Sequence, residues 1–368
     1  MALKSNSSSS SNGRYIPSKP DMKKFKATFN NETITVNYVC LDARSPEEKA
    51  ADRARGSLKG PAMVFFQGHD QRPKDSYEFT RTLALNSLSG ICIVPTCDTP
   101  FGDDPGWRGD RGKMVILMET IRRLLDEGGV SVEGFSPIAA MPALINGHAV
   151  VPKPDNISGK LCSIGWSHGG ILAREFASNY PGAVIGLATV CAAGYKKWKN
   201  PGHLLVRFTL EAINSGVQTL TGKSPSAIGS AWGLSCGLAG DLSRSVADSV
   251  LSGKPSKLAR IYKDISDCAR LIDESNAPVG GLKNIAVIFA RDDTCIAVDE
   301  YGIGNLDHPS DIEIESFWQR YYPSNTADKT TLAFRILPGT HTAPATHGRL
   351  YAETVLSALG QGVSGVGP

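Results

Sequence analysis

The sequence predicts an α/β fold, a mostly parallel central sheet with helices on both faces, broken by one helical cap insertion. Two observations carry this reading. Short, continuously apolar runs such as Pro61-Ala62-Met63-Val64-Phe65-Phe66 alternate with helical segments, the pattern of strands buried on both faces. From residue 196 to 282 that alternation stops, and helical patterns follow one another without a strand.

Bulk composition narrows the function classes. The 368 residues are 41% hydrophobic, enough for a packed core. Net charge is +3, and residues 1–30 alone hold six bases against Asp21, so the body is slightly acidic. A near-neutral body gives no electrostatic ground for a nucleic-acid partner. Eight cysteines occur without a CxxC pair. Cys92, Cys162 and Cys191 fall in strand-like runs, which suits a reducing compartment better than a disulfide framework. No run of eighteen apolar residues is present, so no transmembrane segment is expected. The N-terminus lacks the apolar stretch of a secretory signal, and the expected location is cytoplasmic. Its Ser-rich, acid-free opening is faintly like an organelle transit peptide; a disordered tail over residues 1–24 is the simpler reading.

The core is expected in two parts, residues 25–195 and 283–360, separated by the cap at 196–282 and followed by a tail at 361–368. Residues 25–41 alternate around Asn30-Asn31 and read as a hairpin, and the charged stretch 44–60 reads as a loop. Strands are expected at 61–66, 90–95, 161–165, 184–193, 284–290 and 331–337. Helices are expected at 75–88, 114–125 and 170–180, the last stopped by Pro181-Gly182, with an irregular stretch at 128–159.

The segment Gly165-Trp166-Ser167-His168-Gly169 lies between an apolar strand and a helical run. A strand passing directly into a helix needs a tight turn, and small residues two positions either side let the chain pass close to itself. The serine is then held in a strained conformation with its oxygen above the sheet. The next backbone N–H, that of His168, falls at a helix N-terminus, where it can stabilise an oxyanion.

In this respect the chain resembles the α/β-hydrolase superfamily of serine hydrolases over roughly residues 26–360. The resemblance implies a triad in the chain order Ser, acid, His. The strand at 284–290 ends in Arg291-Asp292-Asp293-Thr294, similar to the family's acid loop; Asp293 is preferred, with Asp292 open. No carboxylate follows the strand ending at Cys191-Ala192-Ala193-Gly194, so the acid position of some relatives is vacant. The last strand ends in Pro338-Gly339-Thr340-His341, placing His341 as general base with His347 in reserve. His148, His203 and His308 have no such context. The loop Phe66-Gln67-Gly68-His69-Asp70 is similar to the family's His-Gly loop, with Gln67 replacing the usual His, and implies the His69 N–H as second oxyanion donor. Gln67, Gly68, Trp107 and Trp166 are the candidate substrate-lining residues.

The resemblance implies an esterase-like enzyme acting on a small or medium apolar acyl substrate, with no cofactor and no metal. An acyltransferase or thioesterase would use the same triad, and a non-catalytic binding protein on the same fold is the alternative of another class. The Asp nucleophile of epoxide-hydrolase and dehalogenase relatives is absent, since position 167 is Ser. Residues 360–365 match G-x-G-x-x-G without a preceding strand, and Thr221-Gly222-Lys223-Ser224 lacks the first P-loop glycine, so neither predicts a nucleotide site. Asp103, Asp104 and Asp110 have no recognisable cation-ligand spacing.

Overall fold

The structure, a computed structural model, describes residues 13–16, 19–29, 32–68, 73–96, 143–145, 148–150, 161–179, 183–195, 203, 206–207, 282–325 and 330–362. The helix expected at 114–125, almost all of the cap, His69 and Trp107 lie outside the described residues.

Among the described residues eight strands form one sheet: β1 (Met22–Phe29), β2 (Glu32–Asp42), β3 (Ala62–Phe66), β4 (Ile91–Thr96), β5 (Leu161–Trp166), β6 (Val184–Val190), β7 (Asn284–Ala290) and β8 (Thr331–Leu337). Their order is β1-β2-β4-β3-β5-β6-β7-β8, and β2 alone runs against the rest. This is the mostly parallel sheet that the sequence pattern predicts and the α/β-hydrolase fold that the resemblance implies. Within the stretch expected to be irregular, Ala143–Ile145 pairs with His148–Val150 in a separate small hairpin.

The residues explain the sheet. Every residue of β3 and β5 is buried, because helices cover both faces and an apolar run can be accommodated throughout. Alternate positions feed two cores. Val64 and Phe66 join Phe176, Phe289 and Phe317 on one face; Met63, Phe65, Ile164 and Trp166 join Phe79, Tyr351 and Leu356 on the other. The first core lies under α3 (His168–Asn179) and the second under α2 (Tyr77–Asn86) and α6 (Gly348–Ala358), which pack together. At the edge, β8 keeps exposed positions such as Arg335.

Two of the longer helices lie outside the sequence-based expectation. The stretch expected as a loop at 44–60 contains α1 (Pro46–Arg55). Its start is a capping box: the Ser45 hydroxyl accepts the Glu48 N–H and the Glu48 carboxylate accepts the Ser45 N–H, with Pro46 in the first turn. Gly56 closes it in the left-handed region. Apolar periodicity missed it because ion pairs hold its buried side, through Arg44 to Asp52 at 3.0 Å and Arg14 to Glu48 at 2.7 Å. The other is α4 (Asp311–Tyr321), also opened by a capping box, from Ser310 and Glu313. The short α5 (Ala343–Thr346) follows β8.

The expected boundaries of both tails move. At the C-terminal end, Gln361 accepts the Leu88 N–H through its carbonyl at 3.0 Å, and Gly362 bridges to Ser87. At the N-terminal end, Met22–Lys24 belong to β1, and Arg14 and Ile16 are buried, so these residues of the expected tail are ordered parts of the fold. The Arg14 guanidinium is held by Glu48 and by the carbonyls of Leu85, Ser87 and Leu88 at the end of α2, which the helix ladder itself does not use. Arg14→Met should lower the free energy of unfolding in urea by about 2 kcal/mol, because Glu48 loses its cationic partner and the three carbonyls lose the guanidinium donors. An unchanged midpoint would show that residues 13–16 do not brace the fold.

Candidate active site

The carboxyl ends of the parallel strands lie along one edge of the sheet, and the loops leaving β5, β7 and β8 meet there. The ladder continues past the strand ends and fixes these loops to one another. Ser167 N–H donates to Val190 O at 3.1 Å, Cys191 N–H to Ile288 O at 2.8 Å, Arg291 N–H to Leu337 O at 2.8 Å and Asp292 N–H to Gly339 O at 2.9 Å.

Between β5 and α3, Ser167 sits at φ 55°, in the left-handed region that a side chain rarely adopts. The flanking glycines make that turn possible. A Cβ on Gly165 would lie 2.1 Å from Gly169 O, and one on Gly169 would lie 2.1 Å from Phe66 O. Only hydrogen fits at either position. Cys191, at the end of β6, is a second non-glycine residue with positive φ, at 44°. Just beyond it, Ala193 N–H donates to Ser167 O at 3.0 Å, so the chain leaving β6 wraps the serine backbone.

The side chains of Ser167, His341 and Asp293 are brought together and almost fully buried. His341 Nε2 lies 2.8 Å from Ser167 Oγ, and His341 Nδ1 lies 2.9 Å from Asp293 Oδ2. The other carboxylate oxygen, Oδ1, accepts the N–H groups of Cys295 at 2.9 Å and Ile296 at 2.7 Å. An ionised carboxylate only accepts, so the proton of a neutral His341 belongs on Nδ1 and Nε2 can accept from the serine hydroxyl. Asp292, the open alternative, is exposed. Burial holds the Tyr301 phenol well above the ordinary tyrosine range, and the nearby charge of Asp293 adds to that effect. Burial likewise pushes the Cys162 thiol up to about 12, which makes it a packing group rather than a nucleophile.

The remaining candidates divide. His168 is the first residue of α3, and Gln67 and Gly68 are buried at the end of β3, against which Gly169 packs. The Gln67 amide nitrogen donates to Ser76 Oγ at 3.0 Å. Trp166 is not a substrate-lining residue: it is fully buried, and its indole N–H donates to His341 O at 2.9 Å. The reason is the strand period, which turns Trp166 to the same face as Cys162 and Ile164, into the core under α2 and α6. His347 is not joined to Ser167; it sits between α5 and α6 with its Nδ1 2.9 Å from Thr346 Oγ1. Sequence reasoning missed the donors from Cys295 and Ile296 and the hydrogen bond from Trp166 to His341 O. A buried indole N–H needs an acceptor, but nothing in the sequence says which.

Burial pushes the His347 imidazole below the ordinary histidine value. The unfolded chain therefore takes up that proton first as pH falls. The resulting stability is complete above about pH 6.5 and is lost as pH falls through the folded value. His347→Gln should flatten the pH dependence of the urea midpoint between about pH 7.5 and pH 5. An unchanged slope would remove His347 as a source of acid sensitivity.

Among the described residues no cluster of three or more His, Cys, Asp or Glu could hold a metal ion, and no helix is long and apolar enough to cross a membrane. No protein-family model matches the sequence, and no curated protein matches it. Solved structures do match. An α/β-hydrolase-fold protein from Burkholderia ambifaria is 14% identical, with 92% of this chain and 100% of that one covered at a TM-score of 0.46. A thioesterase domain from the curacin biosynthetic pathway is 10% identical, covering 91% and 99% at 0.45. A structure from work on carboxylesterases of Nitrososphaera gargenis is 15% identical, covering 91% and 97% at 0.44. These likenesses concern the course of the chain and carry no chemistry to it.

Proposed function

We propose that this chain of α/β-hydrolase fold is a serine hydrolase that cleaves a carboxylic ester through an acyl-enzyme on Ser167. The observation that supports it most is the unbroken relay from Asp293 through His341 to Ser167, at 2.9 and 2.8 Å, inside a buried site. In this reading Ser167 Oγ attacks the acyl carbon as His341 Nε2 takes its proton. Asp293, fixed by the Cys295 and Ile296 N–H groups, holds the imidazole tautomer and stabilises the imidazolium. The tetrahedral oxyanion is held by the His168 N–H at the start of α3; the second donor that the resemblance implies, the His69 N–H, lies outside the described residues. His341 then returns the proton to the leaving alkoxide, and water repeats the sequence on the acyl-enzyme.

A small or medium apolar acyl group is the proposed substrate class, on the apolar content of the inserted segment around Ala231-Trp232-Gly233-Leu234. A series of p-nitrophenyl esters tests both parts. The expected result is a burst of about one p-nitrophenolate per protein, followed by steady turnover with an optimum at short or medium acyl length. Burst without turnover, relieved by an added thiol or amine acceptor, would replace hydrolysis by acyl transfer. Absence of both would remove the acyl-enzyme.

A further inference from the structure

The geometry points to Trp166 as a positioning residue that sets where His341 sits over Ser167, an inference that rests on the serine-hydrolase reading. Acid and base hang from the loops after β7 and β8, whereas the nucleophile hangs from β5, and β6 lies between them. The acid and base loops are tied to each other by the bond from Asp292 N–H to Gly339 O, and Tyr351 Oη holds Pro338 O at 3.1 Å. The backbone ladder joins this pair to the nucleophile's strand stepwise through β6, by Ser167 N–H to Val190 O and Cys191 N–H to Ile288 O, so the 2.8 Å contact to Ser167 spans more of the sheet than the pair's own 2.9 Å contact. The Trp166 hydrogen bond spans that gap.

It does so in a closed ring. The indole N–H holds the carbonyl of His341, the imidazole of the same residue holds Ser167 Oγ, and the Trp166–Ser167 peptide completes the circuit. The ring is built from two adjacent residues on one side and a single residue on the other, so the backbone of the base is referenced directly to the backbone of the nucleophile. The Trp166 side chain is buried in the core, which fixes its own position. Packing alone would use the indole surface; the bond to the base's own carbonyl is what links it to proton transfer.

The test separates the N–H from the packing. Trp166→Phe removes the donor, and replacement by 3-benzothienylalanine removes it while keeping the bicyclic shape. Active sites are counted by fluorophosphonate labelling so that rates refer to folded protein. Both variants should lose about 30-fold in kcat with KM within about twofold, because a displacement near 1 Å misaligns proton transfer without touching substrate binding. A benzothienyl variant that turns over like the wild type would overturn the inference and leave a packing role. If wild type itself takes no label on Ser167, the hydrolase reading fails first, and the two failures are thereby distinct. Should neither variant fold, the wild-type indole resonance decides: it should be protected from exchange and shift when Ser167 is phosphonylated. A resonance that ignores phosphonylation overturns the inference.

Discussion

Ser167→Ala is expected to lower kcat on an activated ester by about 10⁵–10⁶-fold, with KM within a few-fold and the fold retained. The substitution removes the attacking oxygen and nothing else that the turn depends on. Alanine keeps the Cβ, so the left-handed backbone at φ 55° is neither relieved nor worsened, and the glycine contacts around it are unchanged. The His341 Nε2 loses one hydrogen bond in a buried site, which costs about 1–3 kcal/mol. Steady-state kinetics and urea denaturation on the same preparation check both halves. Residual activity above about one hundredth of wild type would mean that another group carries the attack.

Asp293→Asn should cost about 10⁴-fold in kcat, and the reason is directional. The carboxylate oxygen Oδ1 already accepts two backbone N–H groups, from Cys295 and Ile296. An asparagine keeps those bonds by placing its amide oxygen there, which turns its NH₂ toward His341 Nδ1. The Nδ1 atom must then accept, the ring proton moves to Nε2, and no lone pair faces the serine hydroxyl. The loss is thus one of tautomer, with little change in KM. Asp292→Asn is the control: Asp292 is exposed, and its activity should stay within a few-fold of wild type. A large effect at 292 with a small one at 293 would reverse the assignment of the acid.

The sequence already held much of this site because its constraints are local. A strand that passes into a helix at Ser167 shows its glycines and its apolar run within about ten residues. Asp293 and His341 are what the resemblance implies at the ends of two strands that are themselves continuous apolar runs. What escaped depends on distant residues. The helix α1 buries little hydrocarbon and is held by Arg14 and Arg44, so an apolar-periodicity reading sees only charge. Its capping box at Ser45 and Glu48 is a local signal that a reading based on apolar periodicity does not use. Trp166 is a candidate substrate-lining residue from sequence; the strand's alternation sends it into the core instead. The docking of Arg14 and Ile16 likewise depends on surfaces assembled from later segments, which a Ser-rich, basic opening does not announce.

The central claim is that Ser167 is the activated nucleophile, and covalent labelling tests it most directly. A fluorophosphonate should add once to the folded wild-type protein, and peptide mass mapping should place the adduct on Ser167. Ser167→Ala should take up no label, and Asp293→Asn should label far more slowly. An adduct on another residue, labelling that survives Ser167→Ala, or a folded wild type that never reacts would contradict it.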